Sequence, residues 1–267
     1  MAQRKILLSN ELNRTSEADD TVEKFHASEC YALLGEIGFL SEEKVALMLD
    51  QGKISDRRNR MLEALQKITY AKIATLEGNY AFAIELYEQV AEKISVLNQG
   101  SQQEGALAYF YYEYGGFFRQ LGDINAAFRY LEKARNITSS NKMKQMIAYQ
   151  HLILDADLDK NFTLKKWLQC IAYFNKYEMT VMESQAHYGL SLQLINQENM
   201  ADASTHLDKA HEMAALHGFQ HIHWSIDYTR GCLLVSQNRS TEAVRYYQDL
   251  LKKVSNAYFT AKIQSKV

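Results

Sequence analysis

Tyr109-Phe110-Tyr111-Tyr112-Glu113-Tyr114-Gly115-Gly116-Phe117-Phe118 leads through Arg119, Gln120 and Leu121 to the break Gly122-Asp123, and then to Ala127, Leu131 and Ala134. Its reading decides the fold. Tyr111, Tyr114, Gly115 and Phe118 recur at helical spacing, and Ala127, Leu131 and Ala134 are spaced four and then three, so each set shares one face of a helix. Gly122-Asp123 is a helix stop followed by a helix start. The stretch therefore predicts two antiparallel helices joined by a tight turn. The alanine lets them approach closely, and the larger residue fills the neighbouring groove.

The same phrase recurs along the chain as Ala83, Tyr87, Val90; as Ala203, Leu207, Ala210; and as Ala243, Tyr247, Leu250. A second helical signal precedes each alanine by about twelve residues. In the first copy it is Tyr70, Ala71 and Ala74 before the turn Gly78-Asn79; in the fourth, Leu190, Ser191 and Leu194 before Asn196 to Asn199; in the fifth, Gly231 and Leu234 before Asn238. The third copy is degenerate, with Tyr149, Leu152, Ile153 and Ala156 expected as its first helix and Leu164, Leu168 and Ile171 as its second. A weaker hairpin precedes them, carrying Phe25, Ala32 and Leu33 and then Val45 and Leu49, with Ser41-Glu42-Glu43 as a helix start.

The copy around Tyr111 to Ala134 resembles the tetratricopeptide repeat position for position, with tyrosine where tryptophan is usual and without the terminal proline. The marker alanines lie 44, 76 and 40 residues apart, the middle gap being two repeats of 38. That is longer than the family period of roughly 34, and is similar to the long repeats of bacterial regulators of the maltose-activator type. The resemblance implies an all-α, right-handed superhelical stack of five to six antiparallel hairpins. It divides the chain into an N-terminal extension (1–15), a leader hairpin (16–53), five repeat hairpins (54–255) and a terminal helix remnant (256–267). Lys5 to Leu12 and Tyr258 to Val267 read as helical pieces lacking a hairpin partner, as in a segment of a larger protein.

Composition agrees. The 267 residues include no proline and only 12 glycines, which suits long helices joined by short turns and not a strand-rich fold. Net charge is −2, and cationic residues are scattered apart from Arg57, Arg58 and Arg60, so direct nucleic-acid binding is not expected. Cys30, Cys170 and Cys232 sit in no metal or redox spacing and read as core thiols of a reducing compartment. No apolar run approaches the ~20 residues of a membrane helix, and Met1 to Asn10 lacks a secretory centre. A cytoplasmic protein with no membrane partner is the expectation, and Asn13, Asn136, Asn161 and Asn238 then carry no meaning as glycosylation acceptors.

Stacked hairpins bury their apolar stripes on their neighbours, so function falls to the face left over. In the tetratricopeptide arrangement the first helices line the concave side. This places Tyr109, Tyr112, Gly116, Arg119 and Gln120 there, with Tyr111, Tyr114 and Phe118 packing inside. The same reasoning adds Gln185, Tyr188, Leu192 and Asn196 from the fourth hairpin, and Tyr228 and Cys232 from the fifth. Tyrosine gives a rigid apolar ring with a polar tip, which suits recognition of an extended segment. Gln120, Gln150 and Asn196 offer paired donors and acceptors to a peptide backbone. The plain alternative is that 17 tyrosines simply cover half-exposed helix faces.

His211, His217, His221 and His223 gather near one turn, but no carboxylate or cysteine completes a local four-ligand set and Gly218 breaks the helical face, so a polar turn is expected and no metal. Asp155, Asp157 and Asp159 read as a solvated helix end without the glycine and glutamate of a calcium loop. Gly35-x-x-Gly38 lacks a phosphate-loop lysine, and no nucleophile elbow or zinc-protease helix occurs. The expectation is a non-enzymatic, cofactor-free module that binds a protein or peptide in a regulatory setting. A small-ligand or signalling-peptide sensor is the alternative, and self-association through an end hairpin stays open.

Overall fold

A computed structural model describes residues 60–76, 78–95, 101–158, 163–217, 220–254 and 257–266. The leader hairpin, Cys30, Arg57, Arg58 and the segment 1–15 lie outside the described residues. The described chain is all-α: α1 (Arg60–Leu76), α2 (Tyr80–Ser95), α3 (Ser101–Gln120), α4 (Ile124–Ile137), α5 (Asn141–Asp157), α6 (Leu164–Lys176), α7 (Thr180–Asn196), α8 (Met200–His217), α9 (Gln220–Ser236), α10 (Ser240–Leu251) and α11 (Ala257–Gln264), with no strand among the described residues. None of these helices is long and apolar enough to cross a membrane.

Consecutive helices pack on each other, and the turns repeat in detail. Gly78, Gly122, Glu198 and Asn238 all have left-handed φ, at 78°, 80°, 58° and 61°. Each stands five residues before a marker alanine. In all four the residue after the left-handed one donates its N–H five residues back, as in Asn79 to Ala74 O (2.8 Å), Asp123 to Phe118 O (3.0 Å), Asn199 to Leu194 O (2.9 Å) and Arg239 to Leu234 O (2.9 Å). This is the C-capping bond that satisfies the last carbonyls of a helix. Asp123 then starts α4, its side chain accepting from Ala126 N–H at 2.9 Å.

The marker residue is the fourth position of each second helix, and Ala83, Ala127, Ala203 and Ala243 are all buried. Trp167 holds that position in α6. It corrects the register expected for the third hairpin: Leu164 and Leu168 are exposed, at 40% and 44%, while Trp167, Ile171 and Phe174 carry the buried stripe. Spacing of four and three is kept, but the first member is large. The room comes from Gly189 on α7, where a Cβ would stand 2.8 Å from the Trp167 ring.

One apolar cluster runs from Ala64 on α1 to Ile226 on α9, and a second joins Trp224, Ala243, Tyr247, Leu250, Val254 and Ile263. The first helices of successive hairpins also touch one another, α1 on α3, α3 on α5, α5 on α7 and α7 on α9. No pair of second helices among the described residues packs comparably. The helices α1, α3, α5, α7 and α9 thus form one continuous face.

Candidate ligand groove

That face carries a cavity of about 280 Å³. Its walls come from the odd-numbered helices: Lys72 and Thr75 on α1, Tyr112, Gly116 and Arg119 on α3, Gln150 and Ile153 on α5, Gln185 and Tyr188 on α7, and Ile222 with Ser225 on α9. Tyr87 and Trp167 reach it from second helices.

The aromatic run of α3 divides between the core and this groove. Phe110 and Phe117 are buried, and the Tyr114 ring lies tilted at 5.0 Å from that of Tyr87 and 4.8 Å from that of Tyr130, so the packing role expected of Tyr111, Tyr114 and Phe118 holds for a half-buried set beside the core. Tyr112 lines the groove while only 2% exposed, its hydroxyl accepting from Gln150 Nε2 at 3.2 Å. Burial, reinforced by adjacent Glu113, pushes its pKa up to about 12. Tyr149, raised further by the same desolvation, donates to Gln185 O at 2.8 Å and ties α5 to α7. Thr229 donates to Ser225 O at 2.9 Å, which leaves the Tyr188 hydroxyl to donate to Thr229 Oγ1 at 3.1 Å. The tyrosine tips are therefore neutral hydrogen-bonding groups that hold the walls together.

Two ion pairs stand at the rim. Lys72 Nζ lies 3.1 Å from Glu113 Oε1, with Glu113 only 6% exposed, and Arg119 Nη1 lies 3.2 Å from Asp157 Oδ2. Their charges balance, so the groove attracts neither a polyanion nor a polycation. Asp157 is the exposed last residue of α5, as expected, and also the partner of Arg119. Two buried polar atoms keep no protein partner: the donor Arg119 Nε and the acceptor Gln150 Oε1. Leaving such groups dry costs about 1–3 kcal/mol each.

Of the residues placed on this face by sequence, Tyr112, Gly116, Arg119, Gln120, Gln150, Gln185, Tyr188 and Leu192 line the groove. Tyr109 does not: it is fully buried and stacks on Tyr112 at 6.3 Å. Asn196 is exposed at the end of α7, past the groove. Tyr228 packs on Tyr247 at 5.9 Å beneath Lys262 Nζ, against the second apolar cluster, and the half-buried Cys232 Sγ lies 3.2 Å from Tyr247 Oη. The fifth hairpin lines the groove through the start of α9 instead. Lys72, Glu113, Trp167 and Gly189 were not foreseen. Lys72 lies one position after Ala71 of the first repeat, a signal that the tyrosine pattern overshadowed.

No protein-family model matches the chain, and no curated protein matches it.

Proposed function

We propose that this chain is a non-catalytic, cytoplasmic binding module of tetratricopeptide type, its odd-numbered helices on the inner side of a right-handed superhelix, and that it holds an extended segment of a partner protein in the groove. The setting is a bacterial-type signalling or transcription-regulatory protein. One observation carries the reading: Arg119 Nε–H and Gln150 Oε1, buried and without a protein partner, are a donor and an acceptor on two side chains that line a groove walled by tyrosines. A peptide bond supplies the complementary carbonyl and N–H in one unit. Gly116 adds to it, since a Cβ there would meet nothing within 4 Å, leaving open space for a backbone to approach.

The test is selection of peptides from a random library on the full chain, followed by titration of the selected peptides against the wild type and against Gly116→Leu, Arg119→Ala and Gln150→Ala. Each variant should weaken binding about tenfold or more, the loss of one or two buried hydrogen bonds or of the open floor. Selected peptides that bind all three variants as tightly as the wild type would place recognition on another surface.

The groove's size favours a second reading. About 280 Å³ sits at the lower edge of small-molecule pockets, which run ~300–1,000 Å³, so a small-ligand or signalling-peptide sensor is the alternative. A rise in thermal stability on adding cell extract depleted of macromolecules selects the sensor.

A further inference from the structure

Across the turn between α8 and α9, His211 faces His223 and Asp227. His223 and Asp227 are one helical turn apart on α9, and His211 comes from the last part of α8. Their ligand atoms all lie within 4.8 Å of one another. His223 Nδ1 is 3.2 Å from Asp227 Oδ2, and His211 Nε2 is 3.8 Å from Asp227 Oδ1. Donor atoms bound to a tetrahedral zinc at about 2.0–2.2 Å stand roughly 3.3–3.5 Å apart. The His223–Asp227 distance already matches that spacing, and side-chain rotation that draws His211 in by about an ångström completes a coordination shell. The carboxylate that joins the histidines is Asp227, one helical turn after His223 on α9, and the packing of α9 on α8 brings it to His211.

The ion pair of His223 with Asp227 accounts for only part of the cluster. His223 Nδ1 is buried and lacks the alignment of a hydrogen bond to the carboxylate beside it. A second imidazole, His211, is held with its ring centre 4.3 Å from that of His223, where two imidazolium charges would repel. One dication takes both neutral rings and the carboxylate together. The carboxylate is oriented from outside as well: Tyr246 on α10 donates to Asp227 Oδ1 at 2.9 Å, the outer contact that typically positions a ligating acid.

We propose that His211, His223 and Asp227 bind a single Zn²⁺ ion, with a fourth position left to water or to a partner's side chain. Two imidazoles and one carboxylate suit a borderline cation and not Mg²⁺ or Ca²⁺, which take oxygen shells. The ion ties α8 to α9 at the junction of the two apolar clusters, since Trp224 belongs to one and Ile222 and Ile226 to the other. It also fixes the helix whose Ile222 and Ser225 close the groove.

The experiment titrates Zn²⁺ into the chelator-treated full chain by calorimetry, and Co²⁺ in parallel by visible absorption. The expected result is one ion per chain with a micromolar or tighter Kd and an intense visible band for four-coordinate Co²⁺. Affinity should fall at least about 30-fold in His211→Gln/His223→Gln and about tenfold in Tyr246→Phe, which keeps all three ligands and loses only the carboxylate's orientation. No binding by the wild type at about 100 µM Zn²⁺ overturns the proposal, because a three-residue site would saturate well below that. So does undiminished binding in both the double variant and Tyr246→Phe, which would put the ion elsewhere. Should the double variant fail to fold, Asp227→Asn and Tyr246→Phe decide by the same two readouts.

Discussion

The indole of Trp167 occupies the space that a side chain on Gly189 would need. A Cβ on Gly189 would lie 2.8 Å from Trp167 Cζ3 and 3.1 Å from the Tyr149 hydroxyl, inside contact distance on both sides. Gly189→Ala is therefore an overpacking change at a buried seam between α6 and α7, expected to cost about 2–3 kcal/mol. Trp167→Ala alone leaves a cavity and costs about 3–5 kcal/mol. In the double variant the alanine at 189 gains room, so the combined loss should be about 1 kcal/mol or more below the sum. Urea denaturation of the four proteins measures this, and strict additivity would mean that the pair does not interlock.

How far this could be read in advance follows from such pairs. Hairpins built on alanine, at Ala83, Ala127, Ala203 and Ala243, were legible because a small residue at a fixed place in a helix has one plain use. The third hairpin was misread by three positions because its small residue sits on the opposing helix. A swap of large and small across an interface keeps the volume and erases the one-sided pattern. The groove was legible in its central residues, where helical spacing from the half-buried Tyr111, Tyr114 and Phe118 fixes Tyr112, Gly116 and Arg119. It was not legible at Tyr109 or Tyr228, because a tyrosine's ring follows whichever neighbour leaves space, and spacing alone does not say which.

Glu198 stands at the turn position that glycine holds in the first two hairpins. Its φ of 58° puts its Cβ close to the carbonyl in the left-handed region, and it is exposed. Left-handed backbone costs a non-glycine residue about 1 kcal/mol, and glycine returns part of that as extra freedom of the unfolded chain. Glu198→Gly is expected to stabilise by about 0.5 kcal/mol, whereas Gly122→Ala, at φ 80°, should destabilise by about 1 kcal/mol. Opposite shifts of the thermal midpoint check the pair; equal shifts would show that neither turn is under backbone control.

His187 on α7 and His206 on α8 meet through their Nδ1 atoms at 2.7 Å, rings stacked with centroids 5.0 Å apart. One ring must donate and the other accept, so the contact exists only while the acceptor is neutral. Burial chiefly, then His206 and Lys209 facing it from α8, holds the pKa of His187 down to about 4, and burial lowers His206 as well. Unfolded, each would titrate near 6.5. Between these values the unfolded chain binds more protons than the folded one, so this contribution is complete above about pH 6.5 and is lost as pH falls toward 4. The urea midpoint should decline over that window, and less steeply in His187→Gln. Parallel pH profiles for the two proteins would remove the pair from the acid response.

Gly116 separates fold from function. Glycine inside a helix is about 0.5–1 kcal/mol less favourable than alanine, and α3 carries Gly116 four residues from its end with nothing within 4 Å of the missing Cβ. By contrast Gly115, next to it, is held by packing, since a Cβ there would stand 3.0 Å from Leu131. Gly115→Ala should therefore lower stability while leaving the groove floor unchanged. Gly116→Ala should raise stability by about 0.5–1 kcal/mol and weaken a groove-bound peptide severalfold, because the added methyl stands where its backbone would lie. Denaturation midpoints and peptide titrations on the two neighbours give a crossed pattern if the groove is used. A stabilised Gly116→Ala that binds with full affinity would show that the open floor is unused, and would leave this glycine without the groove-based reason offered for it.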